Sequence, residues 1–224
     1  MKNSLAIETK KLLNEYDLRP KKRFGQNFLI DEQILAGIVE VAQLKPDDLV
    51  VEIGPGLGGL TNKLAEKAGY LLAVEIDRQL VAVLKKIFSG KENVKILEGD
   101  ILDLDLDQEV KQAFPRGKLP YKLVANLPYY ITTPIVMGLL EEKRQIDTMV
   151  LMVQKEVGER MRAKPGTKDY GALSVAVQYY AETEICLQVP PSSFRPRPAV
   201  DSVVIKLNIR EKPTVLPLDE KIFF

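Results

Sequence analysis

The chain alternates short, continuous apolar runs with longer stretches in which apolar positions recur every three or four residues. The continuous runs fall at residues 49–53, 71–77, 94–101, 121–127, 147–154, 184–189 and 200–207, and they predict buried β-strands. Pro128 ends the fourth of these at Leu127, because proline has no N–H for a ladder and restricts the residue before it. Helical spacing covers Met1 to about Asp17, with Leu5, Leu12 and Leu13 as its apolar positions. Asp31 is placed as the N-cap of a helix carrying Ile34, Leu35, Ile38 and Val39, and further helices are predicted over 60–67, 155–162 and 173–180. Strands alternating with helices predict an α/β domain whose mostly parallel sheet carries helices on both faces. Proline, glycine and polar residues mark 163–171 as a loop, a candidate mobile element over a site. Residues 190–199 read as a stiff extended stretch that projects Phe194, or else as a linker.

Composition narrows the chemistry. A length of 224 residues with 46% hydrophobic content suits one large core. There is no histidine, which excludes Ser-His-Asp and Cys-His nucleophiles and histidine metal sites. The single cysteine, Cys186, excludes a disulfide framework or a cysteine zinc site, fits a reducing compartment, and reads as a small core residue. No apolar run is long enough to span a membrane and no signal peptide is visible, so a cytosolic protein, or an organellar one after processing, is expected. Net charge is only +1, so a nucleic-acid surface must be local. The most basic segment runs to Gln26, with Lys2, Lys10, Lys11, Arg19, Lys21, Lys22 and Arg23 against Glu8, Glu15 and Asp17. It is either a phosphate-binding surface or a solvated charged arm. Arg195 and Arg197 add a second basic pair in the proline-rich stretch.

Candidate chemistry gathers at strand ends. Asn126, Leu127, Pro128 and Tyr129 put an amide, a backbone carbonyl and an aromatic ring at one strand tip, a set that suits a planar nitrogen-bearing ligand or a plain capped turn. Gly54, Gly56 and Gly59 form a turn between strand and helix where a ligand can approach the backbone closely. Alone that spacing does not separate NAD from S-adenosylmethionine. Glu75, about twenty residues on, sits where a carboxylate takes ribose hydroxyls. Asp100, at the end of the third strand, is placed to accept from the exocyclic amine of an adenine. Taken together these groups make an S-adenosylmethionine pattern at the carboxyl ends of parallel strands.

The segments Arg23-Phe-Gly-Gln-Asn-Phe-Leu29, Glu52-Ile-Gly-Pro-Gly-Leu-Gly58, Asn126-Leu-Pro-Tyr129 and Phe194-x-Pro196-x-Pro198-x-Val200-Asp-Ser-x-Val204 resemble, in this order, the ribosomal RNA adenine N6,N6-dimethyltransferases. The likeness covers nearly the whole chain and is nearest to the small-subunit (16S) branch, known for kasugamycin resistance. It implies a Rossmann-like methyltransferase with a seven-stranded, mostly parallel sheet whose last strand is antiparallel. The implied organisation is a basic N-terminal helix and arm (1–30), the methyltransferase domain (31–210), and a linker with the start of a truncated C-terminal helical domain (211–224). S-adenosylmethionine would be the cofactor, S-adenosylhomocysteine the product, and no metal would be used. The implied reaction is dimethylation of two adjacent adenosines near the 3′ end of 16S rRNA, by a cytoplasmic monomer acting on the pre-30S particle.

Carried over by motif, Asn27 and Leu29 would touch the cofactor's methionine end, with the glycine turn at Gly54 and Gly56 beneath it. Glu75 would hold the ribose, Asp100 and Ile101 the cofactor adenine. Asn126 would contact both cofactor and target amine, with the Leu127 or Pro128 carbonyl as second acceptor. Tyr129 and Phe194 would sandwich the target adenine, and Lys21, Lys22, Arg23, Arg195 and Arg197 would meet RNA. Three other readings remain at this stage: a large-subunit rRNA methylase of the antibiotic-resistance type, a ribosome-assembly factor acting by binding, and an NAD-dependent oxidoreductase.

Overall fold

A computed structural model describes residues 4–213 and 215. In chain order its elements are α1 (Ser4–Glu15), β1 (Phe28–Leu29), α2 (Glu32–Ala42), β2 (Leu49–Ile53), α3 (Gly59–Ala65), β3 (Tyr70–Glu75), α4 (Arg78–Ile87), β4 (Val94–Glu98) and α5 (Leu106–Ala113). These are followed by β5 (Tyr121–Asn126), α6 (Thr132–Glu141), β6 (Ile146–Gln154), α7 (Lys155–Arg162), α8 (Ala172–Tyr180), β7 (Ala181–Val189), β8 (Phe194–Arg195) and β9 (Ser202–Ile209). Seven strands make one sheet in the order β4-β3-β2-β5-β6-β9-β7. Strands β2 to β6 run parallel, and β9 enters antiparallel between β6 and β7, as the resemblance implied.

The apolar runs are continuous because both faces of the sheet are covered. Side chains alternate across a strand. Leu49, Val51 and Ile53 of β2 therefore enter one core with Leu123 and Leu151, while Val50 enters the other with Val124 and Val150. Each fully buried aliphatic side chain contributes roughly 2 kcal/mol, so the central strands form a stiff floor for the groups at their ends. Asp31 caps α2 as expected, accepting from the N–H groups of Gln33 and Ile34.

Several boundaries differ from the sequence expectation. β5 ends at Asn126, one residue before Leu127. β7 begins at Ala181, because α8 runs into it with no intervening loop. Helices α4, α5 and α6 occupy stretches the sequence left unassigned. Cys186 is only half-buried, at a register shift between Ile185 and Leu187 on the edge strand, and is not a core residue. The element expected at 218–224 lies outside the described residues. Among those described, no helix is long and apolar enough to cross a membrane.

Candidate active site

A cavity of about 400 Å³ opens at the carboxyl ends of β2 to β5, where a doubly wound sheet places its ligands. Asn27, Leu29, Gly54, Gly56, Glu75, Asp100, Ile101, Asn126, Leu127, Pro128 and Tyr129 all line it. Gly54 and Gly56 have φ of +69° and +60°, a left-handed turn that keeps the strand-to-helix crossing low. A Cβ on Gly54 would lie 3.7 Å from the Asn126 carbonyl, so the turn and the fourth strand tip nearly touch.

The N-terminal arm forms one wall, and a three-residue latch that the sequence did not reveal holds it there. Lys21 Nζ donates to Asp77 Oδ1 at 2.7 Å, and Gln26 Nε2 donates to Asp77 Oδ2 at 3.0 Å. The Lys21 N–H in turn donates to Gln26 Oε1 at 2.8 Å. Burial alone would push the Asp77 carboxyl up, but the bonds from Lys21, Gln26 and the Gln79 N–H outweigh it and hold the group below the ordinary carboxylate range. This corrects the expectation for Lys21: its charge is spent on a buried carboxylate rather than on phosphate. Lys22, Arg23, Arg195 and Arg197 are exposed. β1 of the arm pairs antiparallel with β8, joining Phe28 to Arg195 and Leu29 to Phe194.

The Asn126 tip is oriented by that arm. Its Nδ2 donates to the Asn27 carbonyl at 3.1 Å, which turns Oδ1 away as a remaining acceptor. The Pro128 carbonyl is already saturated, by the Ile131 N–H at 3.2 Å and the Thr132 hydroxyl at 3.0 Å. The Leu127 carbonyl accepts no hydrogen bond among the described residues. Of the two carbonyls considered from sequence, only that of Leu127 has free lone pairs. Tyr129 is fixed by a 2.7 Å bond between its hydroxyl and that of Ser202, and burial raises its hydroxyl pKa against that bond's opposing effect.

Phe194 departs from expectation. It is 0% exposed and packs in the core with Val189, Val204 and Leu35, so its ring does not reach the cavity and does not sandwich a base with Tyr129. The proline-rich stretch does not project the ring: β8 pairs with the arm and points Phe194 inward. The exposed ring at the cavity is instead Tyr130, which sequence reasoning passed over as the second member of a tyrosine pair.

Two carboxylates set the electrostatics. Glu75 is 5% exposed, and its oxygens take the Asp77 N–H at 2.9 Å and the Gly56 N–H at 3.2 Å. Burial raises its pKa against those bonds. Glu52 is 1% exposed, and neither its Oε2 nor the buried Thr61 hydroxyl has a hydrogen-bond partner among the described residues. Burial pushes Glu52 up to about 8, opposed by the nearby Thr61 hydroxyl and assisted by the charge on Glu75. The folded protein thus holds a proton on Glu52 that the unfolded chain releases above the ordinary value of 4.5. Stability should fall by as much as about 1.4 kcal/mol per pH unit between those two values. Glu52→Gln should accordingly gain thermal stability over the parent as pH rises from 5 to 8, by about 5 °C or more. Melting curves at the two pH values test this, and a gap that stays constant would refute it.

This donor set fits S-adenosylmethionine. Glu52, whose Oε2 has no partner among the described residues, can give up its proton to an incoming ammonium group and sit beside it as a carboxylate; Glu75 suits ribose hydroxyls, and Asp100, whose Oδ1 takes the Leu102 N–H, suits an adenine amine. Such a cavity orients its ligands and offers two acceptors to an amine's hydrogens. The class it defines, with this sheet, is the Rossmann-like S-adenosylmethionine-dependent methyltransferases. Comparison with known proteins narrows the class. The model of the ribosomal RNA adenine dimethylase family matches residues 18–223, and the chain belongs to that family. "Ribosomal RNA small subunit methyltransferase A" of Alkaliphilus metalliredigens (strain QYMF) is 54% identical over 208 residues, covering 93% of this chain and 72% of that one. Two solved structures superpose well. A dimethyladenosine transferase from Plasmodium falciparum has a TM-score of 0.72 at 34% identity, covering 82% of this chain and 64% of that one. The 23S rRNA methyltransferase ErmE has a TM-score of 0.73 at 32% identity, covering 85% and 73%. Membership in the family sets the oxidoreductase reading aside.

Proposed function

We propose that this chain transfers methyl groups from S-adenosylmethionine to N6 of adenosines in small-subunit ribosomal RNA, dimethylating two adjacent adenosines during subunit biogenesis. The observation that carries the reading is the acceptor pair: Asn126 Oδ1, left free by the bond from Nδ2 to the arm, beside the unengaged Leu127 carbonyl. The small-subunit assignment rests on 54% identity to a relative named for that subunit, against 32% to a 23S enzyme. We place the activity in the cytoplasm, on the pre-30S particle, with the protein acting as a monomer.

The target amine is a poor nucleophile because its lone pair is delocalised into the purine ring. In the first transfer Asn126 Oδ1 and the Leu127 carbonyl each accept one amine hydrogen and draw the nitrogen out of the ring plane; in the second, the monomethylated amine gives its one remaining hydrogen to one of the two, and one proton leaves to solvent after each transfer. When bound, the cofactor supplies an electrophilic methyl on a sulfonium. Glu52, Glu75 and Asp100 would hold it, Asn27 and Leu29 would line its methionine end, and Tyr129 would offer a ring face to the target base. A target within a helix must leave its stack or be unpaired to enter.

Labelled S-adenosylmethionine incubated with unmethylated small subunits, and separately with large subunits, tests the proposal. The expected product is N6,N6-dimethyladenosine on the small subunit alone. Label on the large subunit would transfer the assignment to the 23S enzymes. Tight subunit binding without transfer would favour an assembly factor.

A further inference from the structure

Among the described residues Tyr130 is the one large aromatic side chain left mostly in solvent, at 61% exposure, and it stands at the cavity mouth. Its backbone is held in the short 3₁₀ turn Tyr129–Ile131, anchored by the two bonds to the Pro128 carbonyl. One edge of its ring is held against the arm: a Cβ on Gly25 would come within 3.2 Å of Cδ1 and 3.4 Å of the Pro128 Cβ. Gly25 has φ of +58° and leaves the gap the ring fills. Beside it on the arm, Phe24 also lines the mouth, with the Arg23 guanidinium 4.6 Å from its ring centroid. Lys22 and Arg23 remain exposed. A fixed, solvent-facing ring next to an aromatic–guanidinium stack and the exposed Lys22 is chemistry matched to a base with its phosphate.

We infer that Tyr130, with Phe24 and Arg23, stacks an unpaired ribonucleotide adjacent to the adenosine in the cavity. Tyr129 serves the cavity and Tyr130 its rim, so consecutive tyrosines meet consecutive nucleotides. The inference rests on the rRNA reading above and deepens it, since it makes the rim a reader of unpaired RNA. Tyr130 is a positioning residue for substrate and is not one of the acceptor pair, so its loss should act on substrate capture.

Two experiments test it. In methyl transfer to unmethylated small subunits, Tyr130→Ala should lower kcat/KM about tenfold, through KM for subunits, with S-adenosylhomocysteine affinity kept, and Tyr130→Phe should restore the parent value. An unchanged KM in the alanine variant overturns the inference while the methylation reading stands. The second experiment does not depend on turnover. The chain has no tryptophan, so Tyr130→Trp carries a single reporter. A single-stranded oligoadenylate should quench its fluorescence at low salt, and less so when Arg23→Ala is added. Absence of quenching overturns the rim site whatever the enzyme methylates. Quenching without methylation of either subunit would support the rim and sink the proposed activity.

Discussion

Asn126→Ala should lower methyl transfer to small subunits at least about 100-fold, while S-adenosylhomocysteine affinity falls less than about tenfold. Loss of one preorganised polar contact at a reacting centre costs about this much when it acts chiefly in the transition state. The side chain divides its labour: Nδ2 holds the Asn27 carbonyl, and Oδ1 is left to the amine. Alanine removes both, so the modest binding loss reports the arm and the large rate loss reports the acceptor. Asn126→Asp separates them further. It keeps an oxygen in place but turns the bond to Asn27 into a repulsion, so its cofactor affinity should fall below that of the alanine variant. Single-turnover rates together with calorimetry of the product complex read both quantities. Turnover near the parent value in Asn126→Ala would end the acceptor-pair mechanism.

Asp77→Asn should weaken S-adenosylhomocysteine binding about tenfold or more, although Asp77 itself does not line the cavity. Asp77 is 4% exposed and joins Lys21, Gln26 and the start of α4. Hydrogen bonds to a charged partner are worth about 1.5–3 kcal/mol, and the arm they hold carries Asn27 and Leu29. Asparagine can still cap α4, so the loss should appear in binding more than in folding. Because the Asp77 pKa is held low, the latch should stay closed through the neutral range. It should open only as pH falls below the ordinary carboxylate range, where its contribution to stability is also lost. Product affinity measured in Asp77→Asn and Lys21→Met decides the matter, and unchanged affinity in both would show that the arm does not govern binding.

The sheet and most of the cavity floor were legible because both faces of the strands are buried, which leaves unbroken apolar runs such as Leu49–Ile53. Asn126, Glu75 and the glycine turn were legible because strand ends collect ligands in this topology. What failed depended on pairing across long sequence distances. Prolines around Phe194 signal rigidity but carry no information about which way a two-residue ribbon turns its ring. Lys21 looked like one more cation in a basic arm because its partner is 56 residues away. Asp77 itself was readable as an acid at a strand end, yet only the fold shows that it holds the arm.

The β1–β8 ribbon also bears on how the protein is made. Beyond its two residue pairs, the Ile30 N–H donates to the Ser193 carbonyl at 2.8 Å and the Ser193 hydroxyl to Asp31, across 162 residues of sequence. Contacts of such high order form late, because their loop-closure entropy is offset only once the intervening core exists. During vectorial synthesis the first 30 residues emerge early and must wait, undocked, for the segment around Ser193. A nascent chain therefore carries an open cleft until that segment has been made. Its cofactor recess is completed only when both distant segments meet, so competence to bind should switch on only after the segment around Ser193 has emerged.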